Sequence, residues 1–158
     1  MICSCRSRYL GSVHFGKVFA KTKEKLLAIR LHIADRRNYM EPIEMKDIIC
    51  RELDEHKASD ITVLDVAHLT VIADYFIICT AKSNKQVKAL AEFVDEKMNE
   101  YEISPIHTDG LNDGKWAVLD YGGVIVHVFN DETRMFYCLE KLWADGENMH
   151  KYVPEKND

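Results

Sequence analysis

Met45, Ile48, Ile49 and Leu53 recur at helical spacing through EPIEMKDIICRELDEHK, with Glu and Lys on the opposite side. That period predicts an amphipathic helix facing a core. After ASD the period changes. ITVLDV (Ile61–Val66) is short and β-branched, and ADYFIICTA (Ala73–Ala81) is apolar nearly throughout, so both read as strands, the second buried on both faces. Ser83 and Gln86 then make an S-x-x-Q capping box, and Val87, Leu90, Ala91, Val94 and Met98 carry a helix to about Glu100. ISPIHTDGLNDG is loop or edge strand, broken by Pro105, Gly110 and Gly114. KWAVLDY and VIVHVF are strands joined at Gly122–Gly123, a hairpin signal. Asn130 or Asp131 is expected to cap a last helix with Phe136, Leu139 and Leu142 on its core face and Gly146 as its stop. The order of elements predicts an α/β or α+β fold, with a single mixed β-sheet flanked by helices. One domain, residues 40–146, is expected, with 147–158 as a flexible tail.

Charge divides the chain more sharply than hydropathy does. The net charge of −5 conceals nine Lys/Arg against two acids in residues 1–40, and twelve against twenty-four in residues 41–158. Residues 1–39 are therefore read apart from the domain. A basic, acid-poor stretch fits an organelle transit peptide or an RNA-touching arm. A third reading is that translation starts at Met40, because Arg36-Arg37 can be encoded as AGG AGG, a bacterial ribosome-binding site two codons upstream of it. No apolar window approaches the ~18 residues of a membrane span. The five cysteines are odd in number and form no C-x-x-C pair, and Cys79 and Cys138 lie in apolar patterns. Reduced, structural cysteines and a cytoplasmic setting are expected.

CTAKSNKQV, the strand-to-helix turn, has no glycine with which to cradle a phosphate. The seven histidines form no pair at metal-ligand spacing. Asp65, Asp74, Asp109 and Asp120 stand singly at element ends, which is not how magnesium-binding carboxylates converge. No catalytic residue, cofactor or metal is assigned. Instead Trp116, Asp120, Tyr121, Arg134, Tyr137 and Glu140 are expected to form a partner-binding surface or its immediate support, since Trp, Tyr and Arg dominate binding hot spots. Core packing accounts for much of the same pattern around Trp116, Val118, Val124, Val126 and Phe129. Arg134 and Tyr137 are three apart and share a helix face. The acid excess favours a basic partner and disfavours bare nucleic acid. Asp74 and His127 are read as scaffold, and Trp143 as core.

Two segments carry a resemblance to a known family. LDVAHLTVIADYFIICTAKSNKQVKALAEFVDEKM and DGLNDGKWAVLDYGGVIVHVFNDETRMFYCLEKLW together resemble the Iojap-type ribosomal silencing factors over about Met45 to Asp145. The motifs are Asp74–Tyr75–Phe76, Ser83 to Val87, Gly114–Trp116, Asp120 to His127 and Glu132 to Trp143. The resemblance implies a nucleotidyltransferase-like fold without the catalytic residues. It implies binding to the large ribosomal subunit via ribosomal protein fourteen, where the protein blocks subunit joining and represses translation. A large-subunit assembly factor is the alternative, and a degenerate nucleotidyltransferase stands behind it. Homodimerisation of the free form through an apolar sheet edge is also expected. Lys82 stands where many relatives have a small residue, and Gly123 where many have aspartate. On this reading Arg134→Glu should abolish binding without disturbing the fold.

Overall fold

The structure is a computed structural model that describes residues 40–154. The basic extension at 1–39 and the end of the expected tail, 155–158, lie outside the described residues. Helix α1 (Pro42–Glu55) begins on a proline, whose missing N–H falls where a helix has no internal acceptor to lose. Met45, Ile49, Cys50 and Leu53 form its buried face, so the predicted period is the real one. Strands β1 (Ser59–Asp65) and β2 (Tyr75–Ala81) follow. Helix α2 (Asn84–Asn99) starts on Ser83, whose hydroxyl accepts from the Gln86 N–H at 3.2 Å. The returning half of the capping box is displaced by one residue. The Gln86 side-chain oxygen accepts from Lys82 N at 2.8 Å, while its amide nitrogen donates to the carbonyls of His56 and Lys57, tying the start of α2 to the end of α1.

The remaining elements are β3 (His107–Asp109), β4 (Trp116–Asp120), β5 (Val124–Asn130), α3 (Asp131–Tyr137), α4 (Leu139–Trp143) and β6 (Met149–Lys151). They complete one six-stranded mixed sheet in the order β3-β4-β5-β2-β1-β6, in which β2 and β5 are parallel and every other pair is antiparallel. The α+β expectation holds. Three details differ from it. Met149–Lys151, placed in the expected tail, pairs with Thr62–Leu64 as a sixth strand. The two edge strands are three residues long and largely polar (HTD and MHK), so the apolar edge invoked for dimerisation is not present in the described sheet. The last helix is two helices, because Cys138 takes a left-handed conformation (φ +46°) and breaks it.

Alternation along the strands gives the sheet two unlike faces. Ile61, Ile77, Cys79, Ala81, Ala117, Leu119, Val124, Val126 and Val128 meet α1 and α2 in one sealed core. Leu64, Phe76, Ile78, Ile125 and Phe129 turn the other way, with Val66 and Ala73 beside them. Among the described residues, Leu139 and Trp143 of α4 and the half-buried Trp116 and Val118 of the sheet itself pack against that second face, and Tyr137 of α3 reaches Trp116. Phe136 and Leu142, expected in the core, are 80% and 75% exposed.

Candidate docking face

The second face can be mapped row by row from the strand register. The first row across β4, β5 and β2 is Trp116, Phe129 and Thr80, and the middle row, continued into β1, is Val118, His127, Ile78 and Thr62. The third is Asp120, Ile125, Phe76 and Leu64. Aromatic rings dominate it. Trp116 stacks on Phe129 at 4.7 Å between centroids and meets Tyr137 of α3 at 5.1 Å. Phe76 meets Trp143 of α4 edge-on at 5.1 Å. Trp116 is set from below: a Cβ at Gly110 (φ +79°) would lie 1.8 Å from the Trp116 carbonyl oxygen, so only glycine lets the β3–β4 loop approach that closely.

Two apolar banks rise beside this floor. One is α3–α4, with Met135, Phe136, Tyr137 and Leu142 exposed. The other is the β1–β2 loop, with Leu69, Val71 and Ile72 exposed. His68 of that loop and Asp145, just past α4, are joined at 2.6 Å, which links the two banks at one end.

Arg134 is the anchor of the first bank. It is 8% exposed, the single buried residue of α3. Its Nε donates to Glu140 Oε1 at 2.7 Å, its Nη1 to the Asp60 carbonyl at 2.8 Å and Thr80 Oγ1 at 2.7 Å, and its Nη2 to Thr62 Oγ1 at 3.1 Å. Ion pairs with Asp60 Oδ2 at 3.2 Å and Glu140 Oε1 at 2.6 Å complete its set. The break at Cys138 is what lets Glu140 fold back onto an arginine six residues earlier. Asp60, itself at φ +51°, has its carboxyl held below the usual carboxylate range, first by the Lys151 ammonium hydrogen-bonded to it and then by Arg134. Lys151 also donates to Thr62 Oγ1 at 2.9 Å, so strand β6 closes the same cluster.

The six residues nominated from sequence therefore separate. Trp116 and Tyr137 lie together on the aromatic face. Arg134 and Glu140 sit beneath it as an ion pair, and the expectation that Arg134→Glu leaves the fold intact does not survive: the change would press a carboxylate against Glu140 and Asp60. Asp120 closes the β4–β5 turn, its Oδ1 accepting from Gly122 N at 2.7 Å. Tyr121 belongs to the opposite face, buried in the core under α1 and α2. Among the described residues its hydroxyl has no hydrogen-bond partner, and burial, with the nearby Asp95 charge adding, pushes its pKa up. Sequence reasoning missed Asp60, Thr62 and Thr80, which carry no local signal. His127, read from the sequence as scaffold, stands on this face, where Trp116 Nε1 donates to its Nδ1 at 3.3 Å and burial pushes its pKa down to about 4.

The acids at element ends are used locally. Asp65 and Asp109, like Asp120, each accept a backbone N–H within two residues. Among the described residues no three His, Cys, Asp or Glu side chains gather as a metal site, and no helix is long and apolar enough to cross a membrane. Cys50 and Cys79 are buried, with their thiols pushed up to about 12 by burial, while Cys138 is half-buried at the helix break.

The described residues thus form a small α+β domain with a mixed six-stranded sheet, one face sealed by two helices and the other, among these residues, thinly covered and aromatic. The family described as "ribosomal silencing factor during starvation" matches residues 39–158, and the chain belongs to it. The ribosomal silencing factor of Bacillus subtilis is 40% identical over 93 residues, covering 59% of this chain and 79% of that protein. The chloroplastic Iojap protein of Zea mays is 34% identical over 98 residues, covering 62% of this chain but 42% of its own length. A crystal structure of a Chromobacterium violaceum protein superposes with a TM-score of 0.65 at 34% identity, over 75% of this chain and 98% of that one. Membership places the chain among ribosome-associated regulators of translation.

Proposed function

We propose that the protein represses translation by binding the large ribosomal subunit through ribosomal protein fourteen and blocking its union with the small subunit. It acts by occlusion, with no chemical step, in the cytoplasm. The observation that carries this reading is the thinly covered face. Aromatic and aliphatic side chains that a monomer would bury stand exposed on a bank fixed by the buried Arg134 cluster. A rigid aromatic surface of this kind supplies binding energy with little ordering cost. The excess of acids over bases in residues 41–158 favours a basic ribosomal protein as its partner.

The test is sedimentation of the full chain with separated ribosomal subunits. The chain should travel with large subunits and reduce the yield of joined ribosomes when small subunits are added. Tyr137→Ala, a half-exposed position, should weaken that association at least tenfold while leaving the melting temperature nearly unchanged. Sedimentation with neither subunit would overturn the proposal. Binding confined to immature large subunits would replace it with a role in assembly.

A further inference from the structure

His127 lies in the middle row of the aromatic face on a central strand, and its two ring nitrogens are not equivalent. Indole Nε1 can only donate. Because Trp116 Nε1 points at His127 Nδ1 across 3.3 Å, Nδ1 must offer its lone pair, and the proton of the neutral ring sits on Nε2. No described residue accepts a hydrogen bond from that Nε2–H. The neighbouring rings, Phe76 at 5.5 Å, Trp116 at 5.9 Å and Phe129 at 6.3 Å, carry no oxygen to receive it. Two described side-chain atoms are sealed from solvent without a partner, Asp95 Oδ1 and Tyr121 Oη. His127 Nε2 is not one of them, and the residue keeps 8% of its surface open.

We propose that His127 is the specificity-determining donor of the docking face, its Nε2–H held for an uncharged carbonyl oxygen of the partner. This rests on the reading of that face as the ribosome-binding surface. The choice of acceptor follows from charge. A lysine or arginine of a basic partner cannot accept a hydrogen bond, and a carboxylate would approach a chain whose residues 41–158 carry twenty-four acids against twelve bases. A backbone or side-chain amide carbonyl has neither fault. The ring keeps this role across the physiological range, because burial holds it neutral. Of the charged groups nearest the face, Arg134 is paired with Glu140 and Asp60 and His68 with Asp145, while Asp120 in the third row accepts from the Gly122 N–H. A single oriented donor inside an aromatic floor gives selectivity that area alone does not, since a partner without a matching oxygen strands the N–H when the face dries.

The test compares His127→Phe with His127→Gln in the full chain, using purified large ribosomal subunits as the binding probe. Phe keeps a ring among rings and removes the donor, whereas Gln keeps an N–H. The expected result is a loss of affinity of roughly 10-fold to 100-fold for Phe and near-wild-type binding for Gln. Nitrogen-15 spectra of the histidine-labelled free chain should show Nε2 protonated and Nδ1 bare. If His127 were only a packing residue, Phe would bind as well as Gln or better, and that result overturns the assignment, as does a proton on Nδ1. Should the Phe variant fail to fold, His127→Met supplies a second donor-free side chain with the same expectation. Wild-type protein that binds no subunit overturns the partner reading and this one together; wild-type binding with an unaffected donor-free variant overturns only this one.

Discussion

Arg134→Ala isolates the cost of unmaking the cluster beneath the docking face. The arginine is 8% exposed and donates to four acceptors in three parts of the chain: Asp60 and Thr62 of β1, Thr80 of β2, and Glu140 of α4. Removing it leaves the Glu140 carboxylate, 19% exposed, with no countercharge, and a buried pair broken on one side costs about 3–5 kcal/mol. For a folded region of this size that corresponds to a fall in melting temperature of roughly 10–20 °C. Glu140→Gln keeps the shape and the acceptor oxygen but removes the charge, so it should cost about 1–2 kcal/mol. The double variant Arg134→Ala with Glu140→Gln strands no charge. It should recover a good part of the single loss, giving a coupling of about 1.5 kcal/mol or more in a double-mutant cycle. Urea unfolding followed by tryptophan fluorescence reads all four proteins, because Trp116 and Trp143 flank the cluster's face. An Arg134→Ala protein within about 0.5 kcal/mol of wild type would refute the hub, since that is what a surface arginine shows.

Two further expectations concern stability. His127 has a folded pKa near 4 against an ordinary 6.5, so between those values the unfolded chain binds a proton that the folded chain refuses. Its contribution is complete above pH 6.5 and is lost as pH falls toward 4, by about 3 kcal/mol in all. Unfolding curves across that interval should therefore fall more steeply for wild type than for His127→Gln, and parallel curves would contradict the burial of a neutral ring. Gly123 concerns the departure from the family pattern: a Cβ there would lie 2.7 Å from Pro42 Cγ. Gly123→Asp should cost about 1–3 kcal/mol by overpacking, and markedly less in a Pro42→Ala background, with equal costs in both backgrounds excluding the contact as the cause.

Which parts of this architecture were legible in the sequence follows from what writes a period. Helix α1, strands β2 and β5 and helix α2 bury their apolar residues against this chain's own sheet, so their spacing carries their geometry. β6 has no pattern of its own, because what makes it a strand is a ladder supplied by β1 some ninety residues earlier, Thr62 pairing with Lys151. The end of the chain beyond β5 inverts the usual rule twice. Phe136 and Leu142, apolar at helical spacing, are exposed, and Arg134, charged and two residues before Phe136, is buried. Both inversions have one cause. Helices of seven and five residues are too short to stand by propensity, and here neither buries an apolar side chain fully. The pair must therefore be pinned by something other than hydrophobic burial, and the Arg134 cluster does this through partners more than fifty residues distant, which no local reading can supply. Once the pair is pinned by polar contacts, its apolar residues are free to face outward. An arginine where the pattern expects surface and a phenylalanine where it expects core then have one explanation: this helix pair is held by its polar residues, which leaves its hydrophobic ones facing outward, as the proposed docking requires.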